Sequence, residues 1–193
     1  MKKIVILSLS ALMSINLMAM ENNQIQKHHM GVKKEGIKYI KMLGMSLKSE
    51  LKAKMKEDKS GMGAFGFCSA RAEEITKDIN AKLPSYAKVR RTALKLRNPN
   101  NKADDIDTKV MNEYVTSIAN KTFSPKNIKV VEVNGTTRVY KPLTIKKVCL
   151  KCHGTNVSDD IKKAIVTSYP KDQAVGYKEG DFRGVIVSEI AKH

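Results

Sequence analysis

The sequence predicts an α+β fold: a small antiparallel sheet with helices on one side and an amphipathic helix before it. Two patterns carry that reading. In the first half apolar residues recur at steps of three and four, the period of a helix. In the second half they alternate around an Asn134–Gly135 hairpin signal, the period of paired strands. The elements come as helices first, then strands interrupted by a helix, with no internal repeat. The 193 residues are about one domain's length and suffice for an apolar core.

The first segment has the form of an export signal. Lys2 and Lys3 give a short positive start, and Ile4 to Met18 is apolar apart from Ser8, Ser10, Ser14 and Asn16. Ala19 suits a cleavage position before the polar Glu21–Asn22–Asn23. No paired arginine precedes the apolar run and no cysteine stands at the cleavage point, so a Sec-type route without lipidation is expected. Ile4–Ala19 is short for a membrane span, which takes about 20 residues. An uncleaved anchor is the other reading. The expected product starts near Met20 and is soluble in the periplasm.

Residues 20–60 read as a basic amphipathic segment and residues 61–193 as the main domain. Ile37, Ile40, Leu43, Leu47, Leu51 and Met55 form one helical stripe with lysines between them. Gly61, Gly63 and Gly66 interrupt the pattern. A second helix is predicted from about Phe67 to Leu83, with Cys68, Ala72, Ile75, Ile79 and Leu83 inward and Pro84 ending it. Tyr86–Leu96 reads as a strand, basic on one side, and Arg97–Asn101 as a turn. Asp104 or Asp105 caps a third helix that turns Ile106, Val110, Met111, Tyr114, Val115 and Ile118 inward. Strands follow at Ile128–Val133 and Thr136–Thr144, a short helix near Asp159–Ser168, and a last strand at Phe182–Ile190.

Net charge is +17, and loss of Lys2 and Lys3 with the signal leaves +15. Such a charge suits an acidic partner protein or an anionic membrane surface, although plain solubility also accounts for it. Export disfavours nucleic acid. Aromatic residues make up only 5% and tryptophan is absent. The three cysteines are an odd count, which in an oxidising compartment leaves one outside any internal disulfide.

Cys149–Leu150–Lys151–Cys152–His153 is the Cys-x-x-Cys-His pattern of covalent haem c attachment. Two thiols three positions apart reach the two vinyl groups on one porphyrin edge, and the next residue then lies under the iron as an axial imidazole. Covalent attachment takes place outside the cytoplasm, so the export signal agrees with the motif. Two other readings stay open on the residues alone. One is a redox dithiol; the other is zinc held by Cys149, Cys152, His153 and Cys68. For the sixth iron ligand the sequence offers ten methionines, His28 and His29 ahead of the first stripe, His193 at the end, and Cys68. Cys68 stands at the expected start of a helix, where a thiolate is favoured; a small buried hydrophobe is its plain alternative.

Further motifs carry a resemblance. They are Phe67–Cys68, Val89–Arg90–Arg91–Thr92, Leu96–Arg97–Asn98–Pro99–Asn100–Asn101, Tyr140–Lys141–Pro142, the Cys149–Gly154 run, Tyr169–Tyr177 and Gly180–Gly184. Over roughly residues 60–190 the chain resembles a family of exported c-type haem domains with a PAS-like fold and Cys/His axial ligation, found also as the sensor region of membrane histidine kinases. The resemblance implies one haem c with thioethers from Cys149 and Cys152, His153 as proximal and Cys68 as distal ligand, and a sheet of about five strands flanked by helices. Arg97 and Asn98 are candidate propionate contacts or braces of the turn, and Arg90 and Arg91 are similar candidates. Haem maturation machinery is an implied partner.

Electron transfer or redox sensing is the expected role, without catalysis, because a doubly ligated iron has no open position. A diatomic-gas sensor whose Cys ligand leaves on reduction is the alternative. A haem peroxidase needs a vacant distal side and an acid/base residue, and no distal histidine is evident.

Overall fold

The computed structural model describes residues 7–192, with side chains at Gln26 and from residue 29 onward. The export-signal reading at Lys2, Lys3 and Ala19, and the side chains of His28 and His193, lie outside the described residues. The chain divides into two compact units, one ending at Glu35 and one beginning at Gly36. The first is helical. The second holds every strand and all the motifs.

Helix α1 runs over Leu7–Glu57. The stripe read at Ile37–Met55 is therefore part of a longer helix. The compact unit starts at Gly36 rather than at residue 61, because Ile40 and Leu43 are buried. The contact with the sheet depends on glycine: a Cβ on Gly36 would stand 2.6 Å from Ser188 Oγ and from Val139 Cγ2. Among the described residues no helix is long and apolar enough to cross a membrane.

After a turn at residues 58–61 come α2 (Met62–Gly66), a π-helical turn (Phe67–Arg71) and α3 (Ala72–Asn80). The sheet is formed by β1 (Ala87–Thr92), β2 (Lys129–Val133), β3 (Thr136–Thr144) and β4 (Phe182–Ala191), in the order β1-β4-β3-β2 and antiparallel throughout. Helix α4 (Asp105–Ala119) precedes β2, and α5 (Leu150–His153) and α6 (Asp159–Ser168) lie between β3 and β4. Four strands stand where the resemblance implied about five; the residue pattern itself contains four. Asn134 and Gly135 both take positive φ, as the tight β2–β3 hairpin requires.

Helices cover both faces of the sheet, not one. On one face Val110, Met111 and Tyr114 of α4 pack on Tyr140, Val185 and Val187. On the other, Gly36 and Gly44 of α1 lie over Val139, Ser188 and Ile186. Asp104 is the cap of α4, accepting from the Asp107 N–H at 2.8 Å. The inward stripe of α4 is narrower than expected, and Val115 and Ile118 are exposed at its margin. Asp107 takes a core place instead, fully buried between Arg90 (2.7 Å) and Arg138 (3.2 Å) and accepting from Tyr140 Oη at 2.9 Å. The open edge of β1 is closed by Asn80, whose side chain bonds the Val89 N–H and carbonyl at 2.7 and 2.8 Å.

Candidate functional site

Three segments make the site: residues 96–101, residues 145–154 and residues 169–183, the last running into β4. Backbone hydrogen bonds fasten them. Gln173 N–H donates to Leu96 O at 2.7 Å, Tyr177 N–H to His153 O at 2.9 Å, and Gly176 N–H to Gly154 O at 3.1 Å. Cys149 ends a 3-10 turn (Lys147–Cys149) and Cys152 lies on α5, one helical turn on. The i, i+3 spacing therefore points both thiols to one side. Cys149 packs on the cluster of Ile145, Ala174 and Tyr177, and Cys152 on that of Phe65, Val157, Ile161 and Ile165. Gly154 closes the turn, since a Cβ there would meet the Leu150 carbonyl at 2.6 Å.

His153 is held as a neutral imidazole. Its Nδ1–H donates to the Ala174 carbonyl at 2.6 Å, which leaves the Nε2 lone pair for an electrophile. Burial pushes its pKa down to about 3, and the positive charges of Arg97 and Arg183 add to that. Tyr177 stands edge-on to the imidazole, ring centroids 6.2 Å apart.

Arg97 braces this arrangement. Its guanidinium donates to Asp172 at 3.0 and 3.2 Å, to Cys152 O at 2.7 Å and to Ala174 O at 3.1 Å. Asp172 in turn accepts from the Ala174 N–H at 2.9 Å. These contacts are those of the turn brace, one of the two roles expected of Arg97. Asn98 caps the turn Pro99–Asn101: its Oδ1 accepts from the Asn100 N–H at 2.9 Å, and its Nδ2 donates to Glu73 at 3.5 Å.

Cys68 departs from its expected setting. It does not open a helix. It lies in the π turn, where Ala72 N–H reaches back to Phe67 O, and α2 runs ahead of it. No helix N-terminus acts on the thiol, and burial pushes its pKa up against the opposing charge of Arg91. The side chain nonetheless stays accessible to solvent, so it is not the core hydrophobe that its stripe suggested. Its neighbours come close to the Cys149–His153 turn: Phe65, three residues before Cys68, is in the cluster against which Cys152 packs, and Tyr169 Oη donates to Ser69 O at 3.4 Å. A π turn at such a place is a common mark of a functional position.

The two neighbouring arginines of β1 part company. Arg90 faces α4 and pairs with Asp107 and Glu189, away from the site. Arg91 lies on the opposite face, within the field of Cys68 and Tyr169. The sequence reading did not single out Arg183, Tyr177 or Asp172 as site residues. Their motifs were visible, but their partners lie far away in the chain and no local pattern discloses them. The four-ligand zinc set is not assembled: among the described residues no three His, Cys, Asp or Glu side chains are arranged to hold a metal ion.

The sequence model of the Tll0287-like family matches residues 8–191. The chain belongs to the Tll0287-like family. The match takes in α1 as well as the roughly 60–190 over which the motifs were read. The crystal structure of the cyanobacterial heme-protein Tll0287 is similar in fold, with a TM-score of 0.51 and 24% identity over 64% of this chain and 71% of that one. At that identity the likeness between the two Tll0287-like proteins shows the fold alone. No curated protein matches the chain.

Proposed function

We propose that this protein carries one haem c, joined to Cys149 and Cys152 by thioethers and ligated by His153 and Cys68, and that it serves electron transfer or redox sensing in the periplasm. The observation that carries the reading is the Cys149–His153 turn with His153 Nδ1 committed to the Ala174 carbonyl, which leaves Nε2 for iron. The similar fold of a protein described as a heme-protein supports it. So does the fit of the residues: paired thiols on one side, a neutral imidazole, and buried guanidinium nitrogen without a partner at Arg91.

Haem bound there supplies a one-electron ferric/ferrous couple. Cys149 and Cys152 fix its edge, and Arg97 holds the turn that carries His153. Cys68 as a thiolate gives the ferric state a negative donor and lowers the potential. With both axial positions filled the protein is not an enzyme. Exposed Lys146, Lys147 and Lys151 around the attachment turn suit an acidic partner protein or an anionic membrane surface. A diatomic-gas sensor is the second reading, favoured by the accessibility of Cys68; ready carbon monoxide binding by reduced protein selects it.

The test is haem staining of a denaturing gel with a pyridine haemochrome spectrum and an intact mass. The expected result is one haem per chain and loss of residues 1–19. A colourless protein with stoichiometric zinc, or one retaining Met1, sinks the corresponding part.

A further inference from the structure

Two cations at the site have no ion-pair partner: Glu73 acts on Arg91 and Asp172 on Arg183 only from beyond ion-pair distance. Arg91 Nε is buried without a hydrogen-bond partner. No carboxylate lies within ion-pair distance of Arg91 or Arg183 among the described residues, whereas Arg90, Arg97 and Arg138 all have one. Arg138 Nε is also unpartnered, but that guanidinium is neutralised through Nη1 by Asp104 at 2.6 Å. Arg183 spends one nitrogen on the Lys95 carbonyl at 3.1 Å and rests over the Tyr177 ring, 5.7 Å from its centroid. Arg91 lies in the field of Cys68 and Arg183 in that of His153. They also act on each other and on Arg97. Like charges gathered in a partly buried place cost free energy unless an anion joins them.

We propose that Arg91 and Arg183 are the acid-binding pair of this site and take the two propionates of the haem, one each. The inference rests on the haem reading above and extends it. A planar guanidinium takes a carboxylate through two parallel hydrogen bonds, and Arg91 Nε is a donor left over for that purpose. Two arginines without a carboxylate match the two acids of one porphyrin in number and in sign. Arg97 is excluded because Asp172 already neutralises it, and Arg90 because it lies on the other face of the sheet.

The test uses the full exported holoprotein and its Arg91→Gln, Arg183→Gln and double variants, with Lys88→Gln on the exposed side of β1 as control. Haem staining is expected to persist in all of them, since attachment needs only Cys149 and Cys152. Resonance Raman is expected to show one propionate-bending band displaced in each single variant and both in the double. The ferric/ferrous potential is expected to fall in each variant and not in Lys88→Gln. Arg91→Lys and Arg183→Lys keep the charge, so they restore the potential while losing the two-point hydrogen bonding and leaving the band displaced. Bands and potentials that match wild type in both Gln variants overturn the proposal and leave the haem reading standing. A wild-type protein without haem overturns both.

Discussion

Asp172→Asn tests whether Arg97 is a brace. Both side chains of the pair are nearly out of solvent, 10% exposed for Arg97 and 7% for Asp172. Removing one charge of a buried pair costs about 3–5 kcal/mol, because the other is left buried and uncompensated. Arg97 keeps the carbonyls of Cys152 and Ala174 in this variant, and the new amide oxygen can still accept from it. The loss therefore belongs at the lower end, about 3 kcal/mol. With a urea dependence of about 3 kcal/mol per molar, the unfolding midpoint falls by about 1 M with the slope unchanged. Asp159→Asn is the reference: that carboxylate is 98% exposed and its pair with Lys162 contributes about 0–1 kcal/mol. Because Ala174 also accepts from His153 Nδ1, a loosened brace is further expected to broaden the electron paramagnetic resonance of ferric protein. A midpoint shift for Asp172→Asn no larger than that for Asp159→Asn refutes the brace.

Three other outcomes are expected. Cys68→Ser leaves the haem stain intact, replaces a thiolate low-spin resonance with a high-spin or water-ligated one, and raises the potential; an unchanged resonance removes Cys68 as ligand and points to a methionine, His28 or His29. Gly31→Ala meets nothing within 4 Å and is expected to stabilise the chain by up to about 1 kcal/mol, whereas Gly36→Ala sets that gain against overpacking of about 1–3 kcal/mol at Val139 and Ser188. A melting temperature raised by Gly36→Ala refutes the close helix–sheet contact. Asp58 is held down to about 2 by the Ser60 hydroxyl and by the Gly63 and Ser60 N–H groups. Its contribution is complete above the ordinary carboxyl range and is lost as pH falls toward about 2, so the stability gap between wild type and Asp58→Asn is expected to close between pH 4 and 2. A gap that stays constant over that interval is the contrary result.

Local patterns were legible where a single element decides them. The alternation at Ile128–Val133 and Thr136–Thr144 with Asn134–Gly135 between them gave the hairpin, because register and turn chemistry are set within 17 residues of each other. Asp159–Ser168 came out as read, its stripe Ile161–Ile165 facing one cluster. The Cys149–His153 motif was legible because the haem c chemistry proposed for it demands that spacing. Cys68 was misplaced because helical periodicity gives no sign of a π turn: the chain does break at Gly61, but α2 forms over Gly63 and Gly66, and the Phe67–Arg71 turn leaves Cys68 exposed instead of in the core.

The arginines show most clearly why a site is harder to read than a fold. Arg90 and Arg91 are adjacent, equal in charge and equally attractive as anion ligands in the sequence. The pleat of β1 sends them to opposite faces. On one face α4 supplies Asp107, buried because two arginines hold it, so Arg90 is spent on the fold. On the other face no carboxylate comes within ion-pair distance, and Arg91 keeps a buried nitrogen unused. Arg97 shows the same logic one turn later: Asp172, 75 residues away, converts a plausible ligand contact into a brace. Whether an arginine serves structure or ligand is thus settled by the distant acid it meets or fails to meet. Arg91 and Arg183 are the two at this site that form an ion pair with none.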